Sequence, residues 1–185
     1  MDAEDLARCT GARIDRAQAA LTGLTSAMQH YDINTPERMA MFLANVGHES
    51  GGLKWLREIW GPTPAQSRYE GRADLGNNKP GDGKRYMGRG FLQTTGRANY
   101  AKLTQRLRAR WPQDEIPDFE ATPEVLERPE WAALSAADFW NMKGLNLLAD
   151  RGAFLDVIKR INGGTNGIED RMRLYNEAKK ALVSA

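Results

Sequence analysis

Apolar residues recur at steps of three and four over most of the chain, and the pattern lapses only in the middle. Ile14, Ala17, Leu21, Leu24 and Met28 form one such stripe and predict a helix with a single buried face. Thr35-Pro36-Glu37 predicts the start of another, with a hydroxyl N-cap, a proline in the first turn and an acid near the positive end of the dipole. Its apolar side is Met39, Phe42, Leu43 and Val46, and it runs into Gly47-His48-Glu49-Ser50-Gly51-Gly52. The stretch from Leu53 to Trp60 has room for another turn or two of helix.

From Gly61 to Gly96 the periodicity vanishes. Seven glycines lie between Gly71 and Gly96, with prolines at 62, 64 and 80, which predicts loops and at most a short hairpin. Loops this long inside one domain tend to carry function, and Trp60, Tyr69, Tyr86 and Phe91 offer them aromatic surface. Helical spacing returns with Tyr100, Leu103, Leu107 and Trp111, and again with Trp131, Leu134, Ala137 and Trp140, where Gly144 suits a C-cap. Phe154, Val157, Ile158 and Ile161 mark a further helix, and Ile168, Met172, Tyr175 and Leu182 the last. The expected architecture is one mainly α domain with a loop-built cleft.

Composition narrows the chemistry. The 185 residues are 41% hydrophobic, enough for one well-filled core and hardly for two. Twenty-six Lys and Arg against 24 Asp and Glu leave a net charge of +2, which excludes a histone-like polycation. The single cysteine, Cys9, forms no intrachain disulfide, and His30 and His48 alone are too few for a conventional zinc site, so neither metal nor cofactor is expected. The longest apolar run, Met39 to Ala44, is far short of the roughly 20 residues that span a bilayer. The acidic start Met1-Asp2-Ala3-Glu4-Asp5 is unlike a secretory signal, so the expectation is synthesis in the cytosol and no stable membrane insertion.

The densest candidate site is His48-Glu49-Ser50-Gly51-Gly52. A carboxylate ending an apolar helix and followed by two glycines projects into open space, where partial burial would favour the protonated form that a general acid needs. The bland alternative is a helix that simply stops at Gly51. Glu58 lies nine residues on, with Glu70 and Asp74 in the following loop. Two carboxylates flanking a glycosidic bond are the minimal machinery of sugar hydrolysis. On one straight helix that spacing would set them on opposite faces, but a bend at the glycines would bring both to one cleft. For an arbitrary glutamate, pairing with Arg57 or Lys54 on a solvated face is the commoner outcome. Arg97, Lys102, Arg106, Arg108 and Arg110 make one helix basic, either as a solvated face or as a contact for a polyanion. Arg171, Arg173 and Asp170 are either a surface ion-pair set or an anchor for a buried carboxylate, and His48 is expected to be a structural hydrogen-bonder.

Taken in order, His48 to Gly52, Glu58, Lys84 to Gly96, Asn99-Tyr100, Ile161 to Gly164 and Arg171 to Tyr175 resemble glycoside hydrolase family 19, which holds plant-type chitinases and many phage endolysins. The likeness is greatest to the endolysin branch, through Gly-His-Glu-Ser-Gly-Gly and Asn-Gly-Gly-x-Asn-Gly-Ile-x-Asp-Arg, here Gly47 to Gly52 and Asn162 to Arg171. It implies a single catalytic domain over 1–185, with a helical N-terminal part at 1–34 and the family-like core at 35–185, folded as in lysozyme.

The resemblance implies that Glu49 is the general acid and Glu58 the general base of an inverting reaction, with Thr95 helping to hold the attacking water. It implies that Gln93, Asn99 and Asn162 bind sugar and that Arg171 stands near the catalytic carboxylates. A positive Arg171 close to Glu58 would keep the base ionised while Glu49 stays protonated. Tyr86 and Arg89 fall within the matching motif as further binding residues, and Glu70 is a rival for the base. The implied activity is a monomeric, muramidase-like peptidoglycan hydrolase of the endolysin type, held in the host cytoplasm until release and acting at the cell wall. A chitinase, a non-catalytic glycan-binding phage protein and a nucleic-acid-binding domain are the competing readings, the last disfavoured because only the basic helix supports it.

Overall fold

The computed structural model describes residues 1–183. Asp2 and Asp5 cap each other's backbone N–H groups and so start α1 (Ala3–Thr10), an eight-residue helix that no stripe in the sequence announces. The first stripe forms α2 (Ile14–His30), buried through Ala17, Ala20, Leu24, Ala27 and Met28, whereas Ile14 faces outward. Thr35 accepts the Arg38 N–H and starts α3 (Pro36–Glu49), as its sequence predicts.

The sequence suggests one apolar side for α3, but every residue from Ala40 to Gly47 is buried and Met39 is only partly covered. A helix buried all round is a central helix. It packs against α1, against α8 (Leu145–Ala149), against α9 (Phe154–Asn162) and most extensively against α10 (Ile168–Val183). Between these lie α4 (Pro64–Ser67), α5 (Asp82–Arg85), α6 (Arg97–Arg110) and α7 (Pro129–Met142), the last laid along α2. Trp140 of α7 is fully buried edge-on to Phe42, with ring centres 5.5 Å apart. Among the described residues helices account for 62%, and two isolated β-bridges, Arg57 to Arg89 and Arg89 to Thr94, are the only extended pairing. Also among the described residues, no helix is long and apolar enough to cross a membrane.

The N-terminal helix underlies the end of α3. A Cβ on Gly47 would lie 2.4 Å from the Thr10 carbonyl oxygen, so the two backbones meet at a distance that only glycine allows. Gly47→Ala is therefore expected to destabilise the protein by about 3 kcal/mol, read as a shift of the urea midpoint at unchanged slope. An unshifted midpoint would mean that α1 is free to move away. Cys9 is buried in the same region, and burial pushes its thiol up to about 12, so it is no nucleophile at neutral pH.

Residues 53–60 do not continue as helix. Gly51, Gly52 and Leu53 all take left-handed φ values, 59°, 68° and 58°, and turn the chain out of α3. The following segment runs beside residues 88–90, with Glu58 N–H donating to the Gly88 carbonyl and Gly90 N–H to that of Leu56, each at 2.9 Å.

The glycine-rich stretch is held by buried charge. Asp82, 2% exposed, accepts from both the Nε and Nη2 of Arg97 and from the N–H groups of Asn78 and Lys79. The Arg97 guanidinium, joined by those amides, holds the Asp82 carboxyl below the usual carboxylate range. Because the folded-state value is depressed, this stabilisation is present above the ordinary pKa near 3.8 and is lost as pH falls through the folded value. Asp82→Asn is expected to lower stability by about 3 kcal/mol at pH 7 and to flatten the acid side of the Tm–pH curve. A curve parallel to that of the wild type would contradict this.

Candidate active site

Glu49 is the last residue of α3, and its side chain is 29% exposed. Arg171, in the first turn of α10 and almost wholly buried, donates from Nη2 to Glu49 Oε1, from Nη1 to Asn45 Oδ1 and from Nε to the Asn166 carbonyl. Asn45 is fixed in turn by donating to the Met41 carbonyl at 2.7 Å. This corrects the sequence reading: Arg171 acts on Glu49, not on Glu58, so it does not separate acid from base by holding Glu58 ionised. His48 Nδ1 lies 2.7 Å from Asp170 Oδ2, the structural contact expected of it, and Arg173 donates to the other Asp170 oxygen. Burial opposes ionisation of Asp170, but the bonds from His48 and Arg173 outweigh it and hold the carboxyl below its ordinary value. Neighbours in the last helix thus serve both purposes weighed from sequence, a surface ion-pair set and a carboxylate anchor.

Glu58 sits on the extended segment, where Oε1 accepts from the Tyr69 hydroxyl at 2.9 Å and Oε2 from the Gly88 N–H at 3.1 Å. Pairing with Arg57 or Lys54 does not occur. Arg57 reaches Glu127 at 3.6 Å, and the Lys54 ammonium lies over the Trp55 ring. Burial, then the bond to Glu58, pushes the Tyr69 hydroxyl up to about 12, so it remains a donor at neutral pH. A Cβ on Gly88 would fall 2.4 Å from Gln93 Oε1 and 3.1 Å from Glu58 Cγ, so the missing side chain is what allows Gln93 and Glu58 to converge. Gln93 itself holds a φ of 48°, a left-handed conformation uncommon for a residue with a Cβ and found most often where geometry is functionally constrained.

A recess of about 600 Å³ opens beside Glu58, walled by Trp55, Ile59, Trp60 and Met87 together with the cationic Arg57 and Lys84. Trp55 and Ile59 are 40% and 69% exposed, apolar surface of the kind that covers the face of a sugar ring. Trp55 also lies against Gly51, where an added Cβ would come within 3.0 Å of the indole. A single indole therefore links the turn after Glu49 to the recess holding Glu58.

Gln93, Thr95 and Asn99 line a second recess of about 300 Å³, and the Asn99 amide donates to the Thr95 carbonyl at 2.7 Å. Asn162 closes its own loop, donating to the Asn166 carbonyl and accepting from Gly164 N–H. That loop presents Asn166 to Arg171, so Asn162 is one step from the Glu49 cluster. Glu70 accepts from the N–H groups of Gly81 and Gly83 at the start of α5 and is spent on shaping that loop.

Tyr86 and Arg89 require correction as sugar-binding candidates. Tyr86 is 1% exposed, packs edge-on against Tyr100 and donates to the Glu120 carbonyl; Arg89 is tied to Glu127, the Arg85 carbonyl and the Tyr100 hydroxyl. Neither lines the two recesses, and both brace the loop from behind. Phe91 is likewise core rather than aromatic surface. Tyr69 as a carboxylate partner, Trp55 as a wall and Asn45 as a clamp on Arg171 were not foreseen. Only Asn45 had a signal, its position one helical turn before Glu49. No cluster able to hold a metal ion occurs among the described residues.

No family model matches the chain. A Haemophilus influenzae protein described as a glycosyl hydrolase family 19 domain-containing protein is 32% identical over 165 residues, covering 75% of this chain and 76% of its own. Chitinase C from Streptomyces griseus superposes with a TM-score of 0.75 at 23% identity, over 98% of this chain and 76% of that one. A bacterial family 19 chitinase superposes with a TM-score of 0.72 at 22% identity, over 98% and 94% of the two chains. Both share its lysozyme-like helical fold. On the extent and identity of the first match, the chain belongs to glycosyl hydrolase family 19 and is a glycoside hydrolase.

Proposed function

We propose that this hydrolase is an endolysin-type muramidase that cuts β-1,4 bonds of peptidoglycan by inversion and so lyses a bacterial host. The observation that carries the catalytic reading is the unequal setting of the two carboxylates on either side of the 51–53 turn. Glu49 gives Oε1 to a buried arginine, while its Oε2 has no hydrogen-bond partner among the described residues. Glu58 is oriented by a hydroxyl and an amide beside the recess that Trp55 walls. In this reading Glu49 protonates the leaving oxygen, and Arg171 stabilises the carboxylate left behind. Glu58 takes a proton from water, which attacks the anomeric carbon, with Thr95 orienting it and Gln93 and Asn99 holding the sugar. An inverting pair of this kind needs about 6.5–9.5 Å between its carboxyl groups to seat that water.

Peptidoglycan is favoured by the two endolysin-like motifs around Glu49 and Arg171. The enzyme would act as a monomer, stored in the host cytoplasm and released to the wall. A chitinase is the second reading, favoured by the solved structures it resembles, which are chitinases. Mass spectrometry of muropeptides released from purified sacculi tests the choice. Fragments ending in a new reducing N-acetylmuramic acid are expected, with the inverted anomer seen first by proton NMR of the fresh digest. Intact sacculi alongside hydrolysed chitin oligomers would establish the chitinase instead.

A further inference from the structure

The recess that holds Gln93, Thr95 and Asn99 has a second wall of different character, built from α6 and the end of α7. Three cationic residues line it, Lys102, Arg106 and Lys143, and no carboxylate does. The basic face of α6 is largely used up inside the fold. Arg97 pairs with Asp82 and Glu120, and Arg106 with Asp138 at 2.6 Å. Arg108 donates to the Ile116 carbonyl, and Arg110 to that of His30 while lying over the Tyr31 ring. Lys102 differs from these four: it is exposed and makes no ion pair among the described residues. Lys143 is also exposed, its ammonium 5.6 Å from the centre of the Phe139 ring, with no acidic partner among the described residues. Two uncompensated ammonium groups thus share a groove with the amides proposed to hold sugar.

We propose that this groove takes the carboxylates borne by the polymer, with Lys102 and Lys143 meeting the acidic groups of peptide stems while Gln93 and Asn99 hold the glycan. The inference rests on the peptidoglycan reading above and deepens it, since a neutral glycan offers these lysines nothing. The ammonium groups are open to solvent and screened over about 8 Å at physiological salt, so their effect falls on substrate capture.

The test compares native sacculi with sacculi whose peptide carboxylates have been amidated with methylamine, using a chitin hexamer as the neutral glycan. Wild-type enzyme is expected to show an apparent KM about 3- to 10-fold lower on native than on amidated sacculi. In the Lys102→Gln, Lys143→Gln double variant that ratio falls towards one, and in the Lys102→Arg, Lys143→Arg variant it is restored. A ratio of one in the wild type, or one that the Gln substitutions leave unchanged, overturns the inference while sacculus cleavage leaves the peptidoglycan reading standing. Resistant sacculi with a hydrolysed hexamer overturn both.

Discussion

Glu49→Gln is expected to lower turnover by about 10³- to 10⁴-fold, the contribution of a positioned general acid, while the protein stays folded. The substitution is nearly isosteric, and its amide oxygen still accepts from Arg171 Nη2. What it removes is the proton that the leaving oxygen needs while the carboxyl is protonated, and the balance to a buried guanidinium once it is ionised. The second loss is expected to cost about 1–3 kcal/mol, because Asn45 and the Asn166 carbonyl continue to satisfy Arg171. Thermal unfolding read beside the rate on sacculi separates the two effects. A folded Glu49→Gln protein that clears permeabilised Gram-negative cells as fast as wild type would remove Glu49 from the chemistry.

Glu58→Gln is the other large effect, a loss of about 10²- to 10³-fold. The amide keeps an acceptor for the Tyr69 hydroxyl or the Gly88 N–H but cannot take a proton from water. Glu70→Gln supplies the comparison. Its carboxylate is committed to the N–H groups of Gly81 and Gly83, so the expected result is a lower Tm with turnover within about threefold of wild type. An inactive Glu70→Gln beside an active Glu58→Gln would reverse the assignment of the base.

The long helices were legible because apolar residues recur on each at steps of three and four, although the face so marked is not buried throughout: Ile14 and Met172 are 46% and 39% exposed. The stripes of α2, α7, α9 and α10 lie on helices of the structure, and that of α6 runs on to Trp111, the residue that caps it. The start of α3 was legible from Thr35 and Pro36 alone, since a cap is a local device. Its full burial was not, because encirclement by α1, α8, α9 and α10 depends on segments remote in sequence. Residues 53–60 were misjudged for a related reason. Their composition permits helix, but three consecutive left-handed residues and pairing with 88–90 decide otherwise.

The carboxylates could be picked out as polar residues at the edge of an apolar run and in a cleft-forming loop. Their partners could not. Arg171 lies 122 residues from Glu49, and nothing in its spacing tells which carboxylate it meets. Tyr86 and Arg89 sit inside the longest matching motif, Lys84 to Gly96, yet face the interior, because a loop rich in glycine has little backbone packing of its own and recruits side chains to brace it.

The contact of Gly47 on Thr10 bears on how this enzyme tolerates being cut and rejoined. The backbone of the first dozen residues forms a floor beneath the helix end that aims Glu49, and an added Cβ on Gly52 would likewise lie 2.8 Å from the Gly11 carbonyl. A fusion or chimera that begins at Thr35 would keep every motif yet lose this support. A graft meant to preserve the aim of that side chain has to carry α1 along with it.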